Sequence, residues 1–142
     1  MISAESEIRA LLEGRSEAMR DRDIDRLMSL YSPDIVYFDL VPPLRYAGSD
    51  ALRSRFLDWF GRWASPIGQE LGDLAIRASG DIAAAHMLIR ANGTLKTGQK
   101  VDYWVRVTNC CQRSKPRWLF THEHVSLPVD VASGSAAVDL MP

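Results

Sequence analysis

The second half of the chain alternates apolar and polar residues in four consecutive segments, and this pattern limits the fold more than any other feature. Successive side chains on a strand point to opposite faces, so a period of two between turn residues predicts strands. The segments read LGDLAIRA, IAAAHMLIRA, KVDYWVRVTN and WLFTHEHVSL, and they are separated by Ser79-Gly80-Asp81, Asn92-Gly93 and QRSKPR. We therefore expect four strands in an antiparallel meander.

The first half has helical periodicity instead. Apolar residues spaced three and four apart predict a first helix over residues 4 to 20, with Arg15 interrupting its apolar stripe. A second, short helix is predicted after Asp23, which is a suitable N-cap, and Ser32-Pro33-Asp34 should stop it. The two helices should form a hairpin.

A strand and a third helix are predicted between this hairpin and the meander. Residues 35–40 are rich in strand-forming types and precede Pro42-Pro43, which cannot donate to a sheet, so we expect an edge strand. The third helix should begin at Ser49 and end at Ser65-Pro66. Its apolar stripe is mainly aromatic and consists of Leu52, Phe56, Trp59, Phe60 and Trp63.

The predicted order is α-α-β-α-β-β-β-β. It corresponds to an α+β architecture in which three helices from the N-terminal half pack on one face of a curved, mainly antiparallel sheet. A length of 142 residues matches one domain. We assign this domain to residues 1–130 and a C-terminal tail, loose or folded back, to residues 131–142.

Composition and motifs exclude several classes of function. A net charge of −1 gives no electrostatic footprint for nucleic acid. We expect no membrane partner and a cytoplasmic protein, because the chain has neither a long uncharged apolar stretch nor a leader-like N-terminus. The adjacent Cys110 and Cys111 predict neither a disulfide framework nor a cysteine metal site. Phosphate-cradling and dinucleotide-binding motifs are absent from the sequence, and we expect no cofactor.

Strand alternation also separates two faces of the sheet. The face expected against the helices carries Ala85, Met87, Ile89, Val101, Tyr103, Val105, Val107, Leu119, Thr121, Glu123 and Val125. The opposite face mixes aromatic and charged residues: His86, Arg90, Trp104, Arg106, His122 and His124. Such a mixture favours a homodimer interface. The alternative is a solvated face with cross-strand pairs, among them Asp102 with Arg106.

Three stretches of the sequence resemble a known family. DIDRLMSLYSPDIVYFD, PPLRYAGSDALRSRF and YWVRVTNCCQRSKPRWLFTHEHVSLPVD are similar to the SnoaL-like group of the NTF2-like, or cystatin-like, superfamily, which includes ketosteroid isomerase. The likeness covers residues 5 to 130. It implies a conical pocket between a bent sheet and the helices, usually in a homodimer formed through the outer face of the sheet.

The resemblance also implies positions for catalytic groups. The general base of the isomerases is an aspartate shortly after the second helix, and YSPDIVYFDLVPP puts Asp39 at that place. Their two oxyanion donors are a tyrosine on the first helix and an aspartate on a long strand. Here Arg15 stands near the first place and Tyr103 near the second, which argues against steroid isomerisation itself.

The candidate catalytic residues are Asp39, Tyr103 and Glu123. Asp39 is either a base, with a pKa raised by burial beside Tyr37, or a cap of the following proline turn. Tyr103 is either a donor to a developing oxyanion or a core aromatic. Glu123 either shares the cavity with Asp39, which would give one acid and one base, or pairs with Arg15.

A small hydrophobic molecule is the expected partner of the pocket. The candidate substrate-binding residues are Arg15, Tyr37, Phe56, Trp59, Trp63, Met87 and Val105. A metal site at His86, His122 and His124 is not expected, because a fourth ligand of suitable spacing is missing. We expect a cofactor-free isomerase, cyclase or dehydratase acting on a small carbonyl compound. The alternatives are a non-catalytic dimeric module that binds a small ligand and an assembly module.

Overall fold

Residues 2–114 and 116–142, which the structure describes, form three helices and eight strands. In this computed structural model the helices are α1 (Ala4–Arg20), α2 (Ile24–Met28) and α3 (Ser49–Phe60). The strands are β1 (Tyr31–Phe38), β2 (Tyr46–Ala47), β3 (Gly68–Ser79), β4 (Ile82–Thr94), β5 (Lys100–Ser114), β6 (Arg117–Ser126), β7 (Val129–Asp130) and β8 (Ser135–Ala136). The α+β prediction is confirmed, and β2, β7 and β8 are additional short strands.

Six strands form one sheet in the order β2-β1-β6-β5-β4-β3. β1 runs parallel to β6, and the other neighbours are antiparallel. The prediction of an edge strand at residues 35–40 is therefore wrong, because β1 lies between β6 and β2. Val36 and Tyr37 pair with β2 on one side and with β6 on the other.

Helix α2 is shorter than predicted, and β1 begins earlier. Asp23 caps α2 as expected, because its side chain accepts a hydrogen bond from the backbone N–H of Arg26. The chain is already extended at Tyr31, so the predicted stop signal around Pro33 lies inside β1. The register with β6 shifts between Tyr31 and Val36, where the proline has no N–H to contribute to the sheet.

Helix α3 also ends earlier than predicted, at Phe60. Trp63 lies beyond it and forms an isolated bridge with Leu95. Asn92-Gly93, predicted as a turn, is instead part of β4, and the reversal follows at residues 95–99, where the Leu95 N–H donates to the Gln99 carbonyl. The glycine has φ +152°, and a Cβ there would lie 2.9 Å from the Trp63 ring. Glycine is required at position 93 because the backbone there approaches the Trp63 ring too closely for a side chain.

Strand β6 contains a bulge at Thr121. Cys110 of β5 pairs with His122, whereas the next residue, Cys111, pairs with Phe120. β6 therefore has one residue more than β5 at this point, and an extra residue reverses the alternation of side chains beyond it. The prediction of a turn over QRSKPR is wrong for residues 112–114, which belong to β5, and for Arg117, which begins β6; Lys115 lies outside the described residues.

The bulge changes which residues of β6 face the helices. Glu123 and Val125 are buried on the inner face, as predicted. On the other side of the bulge Trp118 is buried, and the prediction that Leu119 and Thr121 share the inner face with Glu123 is wrong. The prediction assumed that inward and outward side chains alternate along the whole strand, and the extra residue in β6 breaks this alternation.

The core lies between the inner face of the sheet and the helices. Ile8 and Leu12 of α1 and Leu52 of α3 are fully buried, together with Met87 and Ile89 of β4. Each such side chain stabilises the fold by roughly 1.5–3 kcal/mol through removal from water. The helices are thereby fixed over the concave side of the sheet, which sets the walls of the site described below.

The ion pairs on the outer face of the sheet differ from the predicted pair of Asp102 with Arg106. Asp102 pairs with Arg90 on the neighbouring strand through two hydrogen bonds of 2.8 Å, and Glu70 lies 3.5 Å from the same guanidinium. Arg106, the predicted partner of Asp102, donates instead to Ser126. Asp102 pairs directly with Asn92, and Arg90 pairs directly with Trp104, so Asp102 and Arg90 are diagonal cross-strand neighbours within reach of a long side chain. Arg106 is four residues from Asp102 on the same strand, which places it roughly 13 Å away along the strand.

Beyond β6 the chain folds back, since β7 and β8 form a small antiparallel hairpin. Val131 and Met141 in this C-terminal part are strongly exposed. No helix in the described part of the chain is long and apolar enough to cross a membrane.

Candidate functional site

A hollow opens between helices α1 and α3 and the inner face of the sheet. Its volume is about 70 Å³. It is therefore narrow. Its walls are formed by Arg15, Met19, Tyr37, Asp39, Leu40, Arg55, Phe56, Trp59, Gln69, Ile89, Ala91, Tyr103, Val105, Val107 and Val125.

Most of the residues predicted for the site lie in this wall. They are Arg15, Tyr37, Asp39, Phe56, Trp59, Tyr103 and Val105. Trp63, Met87 and Glu123 are buried but outside the set of lining residues. Trp63 follows the end of α3 and packs edge-on against Trp59, and Met87 is covered in the core.

Asp39 occupies the wall just beyond the end of β1. Its side chain is 9% exposed, and one carboxylate oxygen lies 2.7 Å from Nε of Arg55. The other oxygen accepts a hydrogen bond from the backbone N–H of Leu40. The carboxylate is thus held by one cation and one backbone donor, and it does not act as a cap further along the Pro42-Pro43 turn.

Arg55 is a site residue that the sequence reasoning missed. Its side chain is only 15% exposed, and burial opposes its charge, but the hydrogen bond and the negative charge of Asp39 outweigh this and raise the pKa of Arg55. The sequence does contain a signal for Arg55. Leu52, Arg55, Phe56 and Trp59 have the spacing i, i+3, i+4, i+7, so Arg55 lies within the apolar stripe of α3.

Two phenols face the hollow. The hydroxyls of Tyr31 and Tyr46 donate hydrogen bonds to Glu123 and to the Pro42 carbonyl, whereas within residues 2–114 and 116–142 those of Tyr37 and Tyr103 have no hydrogen-bond partner. Burial raises the pKa of Tyr103, the charge of Asp39 raises it further, and Arg55 offsets part of the effect. Tyr103 is therefore a neutral hydrogen-bond donor at physiological pH.

Glu123 lies behind the wall in a buried network. Its carboxylate accepts hydrogen bonds from Nε and Nη2 of Arg15 at 3.0 and 2.7 Å, from the Tyr31 hydroxyl at 2.8 Å and from Asn109 Nδ2 at 2.7 Å. Of the two predicted arrangements, the structure has the pair with Arg15. Oε1 of Glu123 accepts three of these hydrogen bonds and Oε2 accepts one, and Glu123 is not among the residues that line the hollow.

The network is ionised. Burial alone would raise the pKa of Glu123, but the charge and hydrogen bonds of Arg15, together with hydrogen bonds from Tyr31 and Asn109, hold it below its usual value. Burial likewise opposes the charge of Arg15, and Glu123 nevertheless raises the pKa of Arg15 well above its usual range. The guanidinium therefore reaches the hollow as a cation whose charge is already balanced.

Gln69 completes the polar part of the wall. Its side-chain oxygen accepts a hydrogen bond from Nη1 of Arg15 at 3.3 Å, and its amide nitrogen donates to the Gly68 carbonyl. Sequence reasoning did not select Gln69, because it precedes the segment predicted as the strand, whereas β3 begins at Gly68. The hollow is otherwise lined by aliphatic and aromatic side chains.

The histidines are not arranged as metal ligands. His122 contacts the Val36 carbonyl through Nδ1, and the rings of His122 and His124 pack edge-on against Phe38 on the outer face. In the part of the chain that the structure describes, no three His, Cys, Asp or Glu side chains are grouped to hold a metal ion.

The comparison with protein families matches this fold and these residues. The family model of the SnoaL-like domain matches residues 8–130. The chain belongs to the SnoaL-like family. The match includes Arg15, Asp39, Arg55 and Tyr103, so the wall of the hollow lies within the matched region. A comparison with curated protein sequences gave no significant match.

Solved structures similar to this SnoaL-like protein have the same fold. An NTF2-like protein of unknown function from Pseudomonas putida KT2440 is 36% identical, with a TM-score of 0.89 over 98% of this chain and 96% of that chain. A ketosteroid isomerase-like protein from Erwinia carotovora atroseptica is 20% identical, with a TM-score of 0.75 over 88% and 97% of the two chains. A proposed NTF2-like dehydratase from Streptomyces avermitilis is 18% identical, with a TM-score of 0.77 over 86% and 94%. The last two likenesses concern the fold alone.

Proposed function

We propose that this SnoaL-like protein is a cofactor-independent enzyme that transfers a proton on a small, largely apolar carbonyl compound. The observation that carries the proposal is that the Asp39 carboxylate and the Tyr103 hydroxyl line one narrow hollow with apolar walls. A base and a neutral donor are the two groups that enolisation of a carbonyl compound requires. The reactions of this kind are isomerisation, cyclisation and dehydration.

The proposed first step is proton abstraction next to the carbonyl group. The C–H bond breaks, the proton moves to Asp39, and the electron pair shifts to the carbonyl oxygen, which becomes an enolate. Tyr103 donates a hydrogen bond to that oxygen. Loss of one such donor typically costs a factor of about 10²–10³ in rate. Asp39 then returns the proton: to another carbon in isomerisation, to the hydroxide that is expelled and leaves as water in dehydration, or to the alkoxide that forms when the enolate carbon attacks a second carbonyl carbon in cyclisation.

The apolar wall supports this chemistry in two ways. Side chains such as Phe56, Ile89 and Val105 hold a hydrophobic ligand and limit the water around it. Fewer waters leave the charges of Asp39 and the enolate less screened, so donors placed in the wall have a larger effect than in solution. The narrowness of the hollow favours a flat ligand of one or two rings.

A thermal-shift screen tests whether the hollow binds such ligands. Small aromatic ketones, lactones and steroids are added to the protein, because a ligand that binds only the native state raises the melting temperature. Turnover is then followed for each stabilising ligand. Asp39→Asn should abolish turnover and leave affinity nearly unchanged. The control is Asp58→Asn, which removes an exposed carboxylate 3.7 Å from the same arginine.

A flat screen would instead favour assembly as the function, for which the outer face of the sheet is the candidate. Trp104 packs there so closely on Gly72 that an added Cβ would lie 3.1 Å from its ring. We propose that a second copy covers this surface in a homodimer. Trp104→Ala or Arg106→Glu should lower the particle mass in light scattering, and an unchanged mass for both variants would contradict the dimer proposal.

A further inference from the structure

Arg55 faces the hollow but has no part in the reaction proposed above. Its Nε is committed to Asp39, whereas its Nη1 makes only a 3.7 Å contact with Asp58. Asp58 is 57% exposed and is shared with Arg62, which approaches it to 3.2 Å. A guanidinium has five N–H donors. Arg55 therefore has donors to offer to a ligand.

The charges around the hollow balance in pairs. Arg15 is balanced by Glu123 and Arg55 by Asp39. Among the lining side chains of the described residues, Asp39 is the only carboxylate. Tyr37 and Tyr103 are neutral, since burial raises the pKa of both phenols. One proton added to Asp39 consequently leaves the hollow with one uncompensated positive charge, and this charge is on Arg55.

We propose that Arg55 is the counterion of an anionic oxygen on the ligand, and that it exchanges Asp39 for this oxygen when Asp39 takes a proton. The inference rests on the proposed function and adds a ligand class to it: enols and phenols that bind as anions when position 39 is neutral. In the resting site the cation stabilises the ionised base. After proton transfer the same cation stabilises the enolate. Arg55 therefore stabilises the negative charge as it moves from Asp39 to the oxygen of the ligand.

Asp39→Asn mimics the protein after proton transfer. An asparagine is neutral and its side-chain oxygen can still accept the hydrogen bond from Arg55. The probe is 4-nitrophenolate, a flat anion with a delocalised oxygen charge, and its binding is followed by absorbance. D39N should bind it on the order of tenfold more tightly than the natural protein, because one like charge a few ångströms away has been removed in a partly buried site.

The deciding comparison is made in the D39N background, where Arg55 has lost its buried carboxylate partner and keeps only the 3.7 Å contact with the exposed Asp58. D39N/R55M should lose the gain, whereas D39N/R55K should keep part of it because the positive charge remains. D39N/R62M is the matched control: Arg62 follows the end of α3 and also contacts Asp58, but it is exposed. Nitrobenzene, a neutral probe of similar shape, should bind all variants alike and reports an intact hollow.

Two results would overturn the inference. D39N/R55M could bind 4-nitrophenolate as tightly as D39N while nitrobenzene still binds, or D39N could fail to gain over the natural protein. If D39N/R55M does not fold, D39N/R55K answers the question, because equal affinity of D39N/R55K and the natural protein also contradicts a charge-based role. A failure of the proposed function gives a different result. If the protein transfers no proton but the variants bind 4-nitrophenolate as expected, the proposed function is contradicted and the role of Arg55 in binding an anion is not.

Discussion

Replacing Glu123 by glutamine tests the buried network that holds Arg15 in the wall of the hollow. Glu123 and Arg15 are 0% and 5% exposed, and their oxygen and nitrogen atoms approach to 2.7 Å. The substitution keeps the shape of the side chain but removes its charge and places an N–H opposite the donors of Arg15. An uncompensated buried charge costs about 3–5 kcal/mol. This is a large part of the roughly 5–15 kcal/mol that stabilises an ordinary domain.

The free energy of unfolding is measured by urea denaturation at pH 7, followed by far-ultraviolet circular dichroism. We expect Glu123→Gln to lose about 3–5 kcal/mol. Glu70→Gln is the control: it removes an exposed carboxylate from Arg90 and should cost less than about 1 kcal/mol. The double variant Arg15→Met/Glu123→Leu should be more stable than Glu123→Gln. A loss below about 1 kcal/mol for Glu123→Gln would refute the reasoning.

The network also predicts how this difference depends on pH. The pKa of Glu123 lies below the ordinary value of 4.5 in the folded protein, chiefly because Arg15 outweighs the effect of burial. A lowered folded-state pKa contributes stability that is fully present above the unfolded value and is lost as pH falls through the folded value. The difference between the natural protein and Glu123→Gln should therefore be constant near neutrality and shrink below about pH 4.5.

Two further predictions concern positions away from the hollow. Gly93→Ala should destabilise the fold by more than about 1 kcal/mol in the same denaturation assay, because the new Cβ would lie within 2.9 Å of Trp63 and Pro66; an unchanged midpoint would contradict the packing reason given for this glycine. In the native protein Cys111 should react with a thiol reagent much more slowly than Cys110, because burial raises the pKa of the Cys111 thiol to about 12; equal rates in the two single Cys→Ser variants would contradict this.

Periodicity predicted the fold because most elements bury one face along their whole length. The buried face of α1 runs along the whole helix and includes Arg15, and the buried residues of β4 and β5 alternate along most of each strand, so one pattern describes each element. Prediction failed where a local event changes the pattern. The bulge at Thr121 reverses the alternation of side chains along β6. Gly93 lies within a strand, where it allows a close backbone contact, and not in a turn.

The candidate site could be predicted in part for a related reason. The resemblance to ketosteroid isomerase indicates Asp39 and Tyr103 as candidate site residues, and both line the hollow. Arg55 has the same sequence signal as Arg15, because each is a cation within the apolar stripe of its helix. The prediction used this signal on α1 and not on α3. The pairing of Arg15 with Glu123 and of Arg55 with Asp39 is set by distances across the fold, which one sequence does not contain.

The most direct test of the central claim is hydrogen–deuterium exchange at carbon. Small enolisable ketones that stabilise the protein are incubated with it in D₂O, and the loss of the proton signal next to the carbonyl group is followed by NMR. Asp39 as a base predicts exchange that is catalysed by the natural protein and by Asp58→Asn and falls to the background rate with Asp39→Asn. Equal exchange by Asp39→Asn, or no exchange above background with ketones that bind, would contradict the account.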